Sequence, residues 1–288
     1  MTSPTLQQAT TAIQQLPTLP GTSRQVLEYL NDETADLNRI VQAIECDQGL
    51  VIRILRVANS PFFGLPNKVQ NINEAVVVLG FSNLRMIVIA AMLTAQKFPN
   101  LANGACVQTL FRHSLAVAIC ASVIGRNNKL DANLLFLAGI LHDIGTLALM
   151  STYPELYAEV EKCLRCEDLL RYEAEQRVFG FDHATIGAAL CRHWNLPEAL
   201  SQAIEGHHFL GNSPASPQET QHMELLSGVV HLADAIAHGL NLEEDTHSTV
   251  PPISDAVWYR LSGRQDQLVN DFSEIKNLYR ELIVLVDN

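Results

Sequence analysis

The sequence predicts an all-α fold, and three observations carry that reading. Apolar residues recur at intervals of three and four along almost every patterned stretch. No run of five residues alternates like a strand between turn residues. The stretches are punctuated by proline, glycine, asparagine and serine, placed where helices start and stop. The chain has 288 residues, which at roughly 150 per domain corresponds to about two domains. It is 48% hydrophobic and 17% charged, enough apolar material for sizeable cores.

Pro17 and Pro20 mark the entry to a first helix over 22–30, with Val26, Leu27 and Leu30 on one face. The next covers 36–45, where Leu37, Ile40, Val41 and Ile44 share a face. A third over 48–58 repeats the pattern with Leu50, Val51, Ile54, Leu55 and Ala58. Asn59-Ser60-Pro61 then ends it, because proline disfavours helical geometry at the residue before it. Helices over 73–79 and 82–97 follow, with Gly80 as the stop between them and Ser82 as a cap. Residues 98–106, FPNLANGAC, read as a domain boundary. Beyond it, 107–125, 134–150, 154–178, 182–193, 197–208, 220–239 and 266–286 read as helices. The loops 211–219 and 241–254 are rich in proline, serine and acidic residues.

The formal net charge is −12, so the surface as a whole repels phosphate backbones and anionic lipid. No nucleic-acid or membrane partner is expected. The N-terminal MTSPTLQQATTAIQQ has no apolar core of a secretory signal. Of the two most apolar runs, 86–95 is too short to cross a bilayer, and 134–150 carries His142 and Asp143 at its centre. Both read as buried core helices of a cytoplasmic protein. Of six cysteines only Cys163 and Cys166 form a C-x-x-C, and no second pair completes a zinc ribbon, so they read as reduced thiols. Phosphate-loop, dinucleotide-binding and nucleophile-elbow motifs are absent, as is H-E-x-x-H.

The chemistry lies in the histidines and aspartates. Ten histidines are present, several inside apolar helices. His142-Asp143 sits within LAGILHDIGTLAL, His113 within TLFRHSLAVAIC and Asp234 within VVHLADAIAHGL. A buried carboxylate needs a cation, a donor or a metal. One divalent ion satisfies imidazole and carboxylate together, and explains why several helices each aim such a group inward. Taken singly, His113 reads more readily as a hydrogen-bonded core residue than as a ligand, and Asp234 as paired with arginine or capping a turn. His193 reads as packing or surface, and His222, His238 and His247 border loops.

At His142-Asp143 the sequence resembles the HD superfamily of helical metal-dependent phosphohydrolases. The family pattern is an earlier His, the HD pair and a later Asp, matched by His113, His142-Asp143 and Asp234. The resemblance implies that these four bind one metal, with Asp143 able to bridge to a second. The N-terminal half narrows the match. Leu16-Pro-Thr-Leu-Pro20, Asp47 before LVIRILRVANSPFFG and the run INEAVVVLGFSNLR are similar to the HDOD domain, an HD-related output domain of bacterial signalling proteins. This similarity runs over about residues 14–240. It implies an N-terminal helical bundle, within residues 1–100, packed on an HD-like metal-binding bundle with a C-terminal helix, within 101–288.

His183 and the pair His207-His208 resemble the additional ligands of the HD-GYP phosphodiesterases. That similarity implies a second metal on Asp143, His183, His207 and His208. Both His207 and His208 reach one centre only near a helix end or across a wide site, since adjacent helical residues diverge by about 100°. Three positions depart from the HD-GYP pattern. Thr146 stands where those enzymes carry lysine, no Gly-Tyr-Pro follows His208, and Thr109 stands where some offer a carboxylate. Arg112 or Lys129 would have to supply the missing cation. The donor types point to iron or manganese first, then zinc or nickel, as one or two ions. The implied function is a metal-binding signalling module that contacts a signalling protein. The alternative is a metal-dependent phosphohydrolase acting on a phosphate ester or nucleotide.

Overall fold

The computed structural model describes residues 3–13, 25–26, 29, 36–59, 67–95, 104–194, 196–208, 217–242, 249–261 and 265–283. All regular elements among them are helical. In chain order these are α1 (Leu6–Ile13), α2 (Leu37–Glu45), α3 (Gln48–Ala58), α4 (Ile72–Ala95), α5 (Gly104–Asn127), α6 (Ala132–Leu141) and α7 (Ile144–Thr152). They continue as α8 (Pro154–Cys166), α9 (Arg171–Phe179), α10 (His183–His193), α11 (Glu198–Glu205), α12 (Pro217–Gly239), α13 (Asp255–Leu261) and α14 (Gln265–Leu282). The Leu16–Pro20 motif, Ser60-Pro61 and most of the helix expected over 22–30 lie outside the described residues.

The chain forms two compact units, one of residues 17–97 with 277–288, the other of 1–16 with 98–276. In the first, α2, α3 and α4 pack on one another. Asp36 and Asp47 cap α2 and α3, accepting from the amides of Asn38 and Leu50. Asn59, just past α3, is a backbone clamp. Its amide group donates to the Leu55 and Val69 carbonyls, and its oxygen accepts from Val69 N at 2.7 Å. Every polar atom of that side chain is used, which accounts for an asparagine at the motif's centre. The α4 stretch is two helices that meet at Gly80, the expected stop, whose φ of 74° and ψ of 168° are not helical.

The second unit is built around α5 and α6, which pack closely at Gly139, where any Cβ would collide with the Ala118 backbone. The stretches 107–127 and 132–152 are long and apolar enough to cross a membrane, and both are mostly buried inside this unit as core. Helix α12 lies on α5, α6 and α11, while α10 lies on α7 and α11. Helix α1 packs on α7 and α10, so the first residues join the C-terminal unit.

Three expected helices are interrupted. The one over 134–150 breaks at Asp143 (φ −99°, ψ 9°), so the HD pair forms the junction between α6 and α7. Both halves are buried on almost all sides, and an uninterrupted apolar run carries no periodic signal of a break. The one over 154–178 divides into α8 and α9, because the backbone at Glu167 is extended. The one over 197–208 ends at Glu205, so His207 and His208 follow the helix.

Candidate metal centre

Four different local structures deliver the candidate ligands. His113 lies within α5 and Asp234 within α12. His142 and Asp143 occupy the α6–α7 junction. His183 is the first residue of α10, fixed there by Asp182, which caps the helix by accepting from Thr185 N at 3.0 Å. His207 and His208 sit past the end of α11, where the chain is released from the 100° helical divergence.

The structure brings all seven together. His113 Nε2 lies 3.0 Å from Asp234 Oδ1, and its ring centroid 5.2 Å from that of His142. His142 Nε2 is 3.4 Å, and His183 Nε2 3.0 Å, from the same oxygen of Asp143. His208 Nε2 is 2.8 Å from His183 Nε2. The His207 ring is 5.3 Å from His142, 5.5 Å from His183 and 3.8 Å from His208. Within each of the sets His113–His142–Asp143 and His183–His207–His208, candidate donor atoms lie within 4.8 Å of one another.

Hydrogen bonding fixes which nitrogen of each ring is offered. His142 Nδ1 donates to Gly139 O, His207 Nδ1 to Ile204 O and His183 Nδ1 to Glu175 Oε2. Carbonyl and carboxylate oxygens only accept, so each Nδ1 carries the hydrogen, and in the neutral ring Nε2 carries the lone pair. The Nε2 of His207 is buried and has no hydrogen-bond partner among the described residues. His183 Nε2 lies 2.8 Å from His208 Nε2 and 3.0 Å from Asp143 Oδ1, which lines up three potential ligand atoms through His183. Ligands around an ion with bonds of about 2.1 Å are roughly 3.0–3.4 Å apart, from octahedral to tetrahedral geometry. The spacings of 3.0 and 3.4 Å around Asp143 fall in that range and the 2.8 Å between His183 and His208 lies just below it, so the donor set fits a divalent cation.

The electrostatics follow from burial. Burial pushes the His142 imidazole down, and takes His207 down to about 3. It holds His208 well below its ordinary value, with the neighbouring His207 adding to the effect. For Asp143 burial acts upward, but the charges of His142 and His183 outweigh it and hold the carboxyl well below its usual range. Burial likewise acts upward on Asp234, where His113 and His238 prevail and lower it. His183 is the exception. Burial acts downward on it, yet the Glu175 and Asp143 carboxylates raise it well above its ordinary value.

Several residues of the site went unnoticed in the sequence. Glu175, fully buried on α9, accepts from both the amide and Nδ1 of His183. Tyr157 donates to Glu175, and Arg171 donates to Tyr157 and Glu161. Tyr172 stacks on His208 with centroids 4.5 Å apart. His231 Nδ1 donates to His207 O, and His238 pairs with Asp234. His231 and His238 had a usable signal, since they stand three before and four after Asp234 on one helix face. Glu175 had none, as it lies in a helix polar on nearly all sides. Thr146 is buried, its hydroxyl without a partner among the described residues. Lys129 is exposed at a turn, while Arg171 is near enough for the Asp143 charge to contribute to raising its value. His193 is exposed, and the His222 side chain and His247 lie outside the described residues.

A family model of the HDOD domain matches residues 16–210, more than half of the chain. The chain belongs to the HDOD family. The matched span includes six of the seven candidate ligands, and Asp234 lies beyond it. The crystal structure of an HDOD domain protein from Geobacter sulfurreducens is similar over 98% of both chains, with a TM-score of 0.72 and 24% identity. That of a proposed phosphohydrolase from Shewanella amazonensis SB2B covers 96% of this chain and 97% of its own, with a TM-score of 0.74 and 22% identity. At these identities the likeness is one of fold. An uncharacterized protein of Treponema pallidum (strain Nichols) is 27% identical over 213 residues, 72% of this chain. The chain spans 40% of the length of that protein.

Proposed function

We propose that this HDOD protein is a metal-binding regulatory module, whose centre takes one or two divalent transition ions on His113, His142, Asp143, His183, His207, His208 and Asp234. The observation that carries the reading is the buried, unpartnered Nε2 of His207, set beside imidazoles whose Nδ1 hydrogens are already committed. Leaving such a group bare in a core is costly, and an ion removes the cost. Asp143 stands between the two donor sets and is the group able to serve both. Iron or manganese suits a set of imidazoles and carboxylates without thiolate. The regulatory half of the reading is supported by exposed apolar side chains, Ile52 on α3 and Val77, Val78 and Phe81 on α4, suited to contact with a signalling protein.

A second reading, hydrolysis of a phosphate ester or nucleotide, is favoured by Arg171. Its guanidinium lies within electrostatic reach of Asp143, and its side chain is about one third exposed, so it is the cation beside the centre that a phosphate would meet. The Shewanella neighbour, itself a proposed phosphohydrolase, points the same way. A bound ion would supply Lewis acidity and lower the pKa of water. The protein's own part would be to orient the imidazoles, hold Asp143 ionised and offer the Arg171 cation.

Elemental analysis of protein purified without chelator tests the first reading. Bound transition metal is expected in the wild type and none in His142→Ala/Asp143→Ala; a metal-free wild type that also fails to take up Mn²⁺ would overturn it. A panel of aryl phosphate esters assayed with Mn²⁺ tests the second. A rate lost in the double variant supports turnover, and no metal-dependent rate leaves the regulatory reading standing.

A further inference from the structure

One donor near the centre belongs to no ligand set considered so far. His238 lies in the last turn of α12, four residues after Asp234. Its Nε2 is 3.3 Å from Asp234 Oδ1, the oxygen that His113 Nε2 approaches to 3.0 Å. The His113 and His238 rings stack, with centroids 4.3 Å apart and planes 27° from parallel. Two near-parallel imidazoles therefore aim the same ring nitrogen at one carboxylate oxygen. Donor atoms of His113, Asp234 and His238 lie within 4.8 Å of one another, the spacing that also marks the other two sets. Two imidazoles and a carboxylate, contributed by α5 and α12, form a ligand set suited to Fe(II) or Mn(II) with positions left open. The His238 side chain is 18% exposed against 6% for Asp234, so this set reaches toward solvent.

We propose that His238 is a metal ligand, acting with His113 and Asp234 and adding an eighth donor to the centre. The inference rests on the metal-binding reading and extends it. Binding an ion here displaces the hydrogens that otherwise link the two rings to Asp234. The neighbouring His231 stands in none of the three sets of close-spaced donors; its Nδ1 donates to His207 O and orders the His207-His208 segment.

Titration of the metal-free protein with Mn²⁺, followed by calorimetry, separates ligation from packing. His238→Phe keeps a ring to stack on His113 but has no donor. His238→Asn keeps a hydrogen-bond donor for Asp234 and is a poor ligand. Both are expected to lose about tenfold or more in affinity for at least one ion, since even groups outside the coordination shell are worth about 10- to 100-fold. Wild-type affinity and stoichiometry in His238→Asn, or binding restored by Phe, would assign His238 to packing and overturn the proposal. Anomalous diffraction from Mn²⁺-loaded wild-type crystals needs no variant. An ion within bonding distance of His238 Nε2 is expected; ions on the other ligands with none there refute this proposal alone. If the wild type binds no Mn²⁺ at all, the metal-binding reading falls with it.

Discussion

Glu175 shows how a single residue outside the donor set governs the centre. Its carboxylate accepts the His183 amide, the His183 Nδ1 and the Tyr157 hydroxyl, at 2.8, 2.5 and 3.0 Å. These contacts hold the His183 ring so that its Nε2 faces Asp143 and His208. Burial pushes the Tyr157 phenol up, with Glu175 adding to it, so Tyr157 stays protonated and remains a donor. Glu175→Gln removes the charge while keeping the shape. It is expected to weaken Mn²⁺ binding by about 10- to 100-fold, with the helical circular dichroism unchanged. Calorimetric titration checks this, and unaltered affinity would show that His183 needs no such support.

Between elements, the decisive contact is the crossing of α7 and α10. Gly145, two residues after Asp143, lies against the His183 carbonyl and the Gly187 amide. A Cβ there would strike backbone, which cannot swing aside as a side chain can. Gly145→Ala is therefore expected to force α10 away from the HD junction, destabilising the fold by about 3 kcal/mol or more. Urea denaturation measures that cost, and metal binding should weaken in parallel because His183 opens α10. An alanine variant with wild-type stability would mean that the two helices can separate freely. The same crossing explains a small residue at 145 that amphipathic patterning leaves unexplained.

For the whole molecule, pH sets buried imidazoles against the solvent. His142, His207 and His208 have values lowered by burial, His207 to about 3. Between the ordinary value near 6.5 and those lowered values, the unfolded chain binds protons that the folded protein refuses. Stability therefore falls as pH is lowered through that window. His183, raised well above 6.5, acts the other way: its contribution is complete below 6.5 and is lost as pH rises through its folded value. Three groups oppose one, so the metal-free protein is expected to melt at a lower temperature at pH 5.5 than at pH 7.5. Relief of the net charge of −12 on acidification opposes this trend, but it is a surface effect and weaker. Scanning calorimetry in chelator checks the sign. The loaded protein should also release metal toward pH 5, because only unprotonated imidazoles bind.

What the sequence determined by itself was local or compositional: helices from apolar spacing, family from the Asn59 and His142-Asp143 motifs, and seven polar residues out of place in apolar surroundings. Its periodicity missed the breaks at Asp143 and Glu167, because a segment buried all round, or polar all round, repeats nothing that marks an end. Only the tertiary structure decided which ring nitrogens face the centre, that His207 and His208 both turn inward past α11, and that Glu175, His231 and His238 belong to the site. Those outcomes depend on hydrogen-bond acceptors and helix crossings supplied by segments far apart in the chain. Spacing along one helix records none of them.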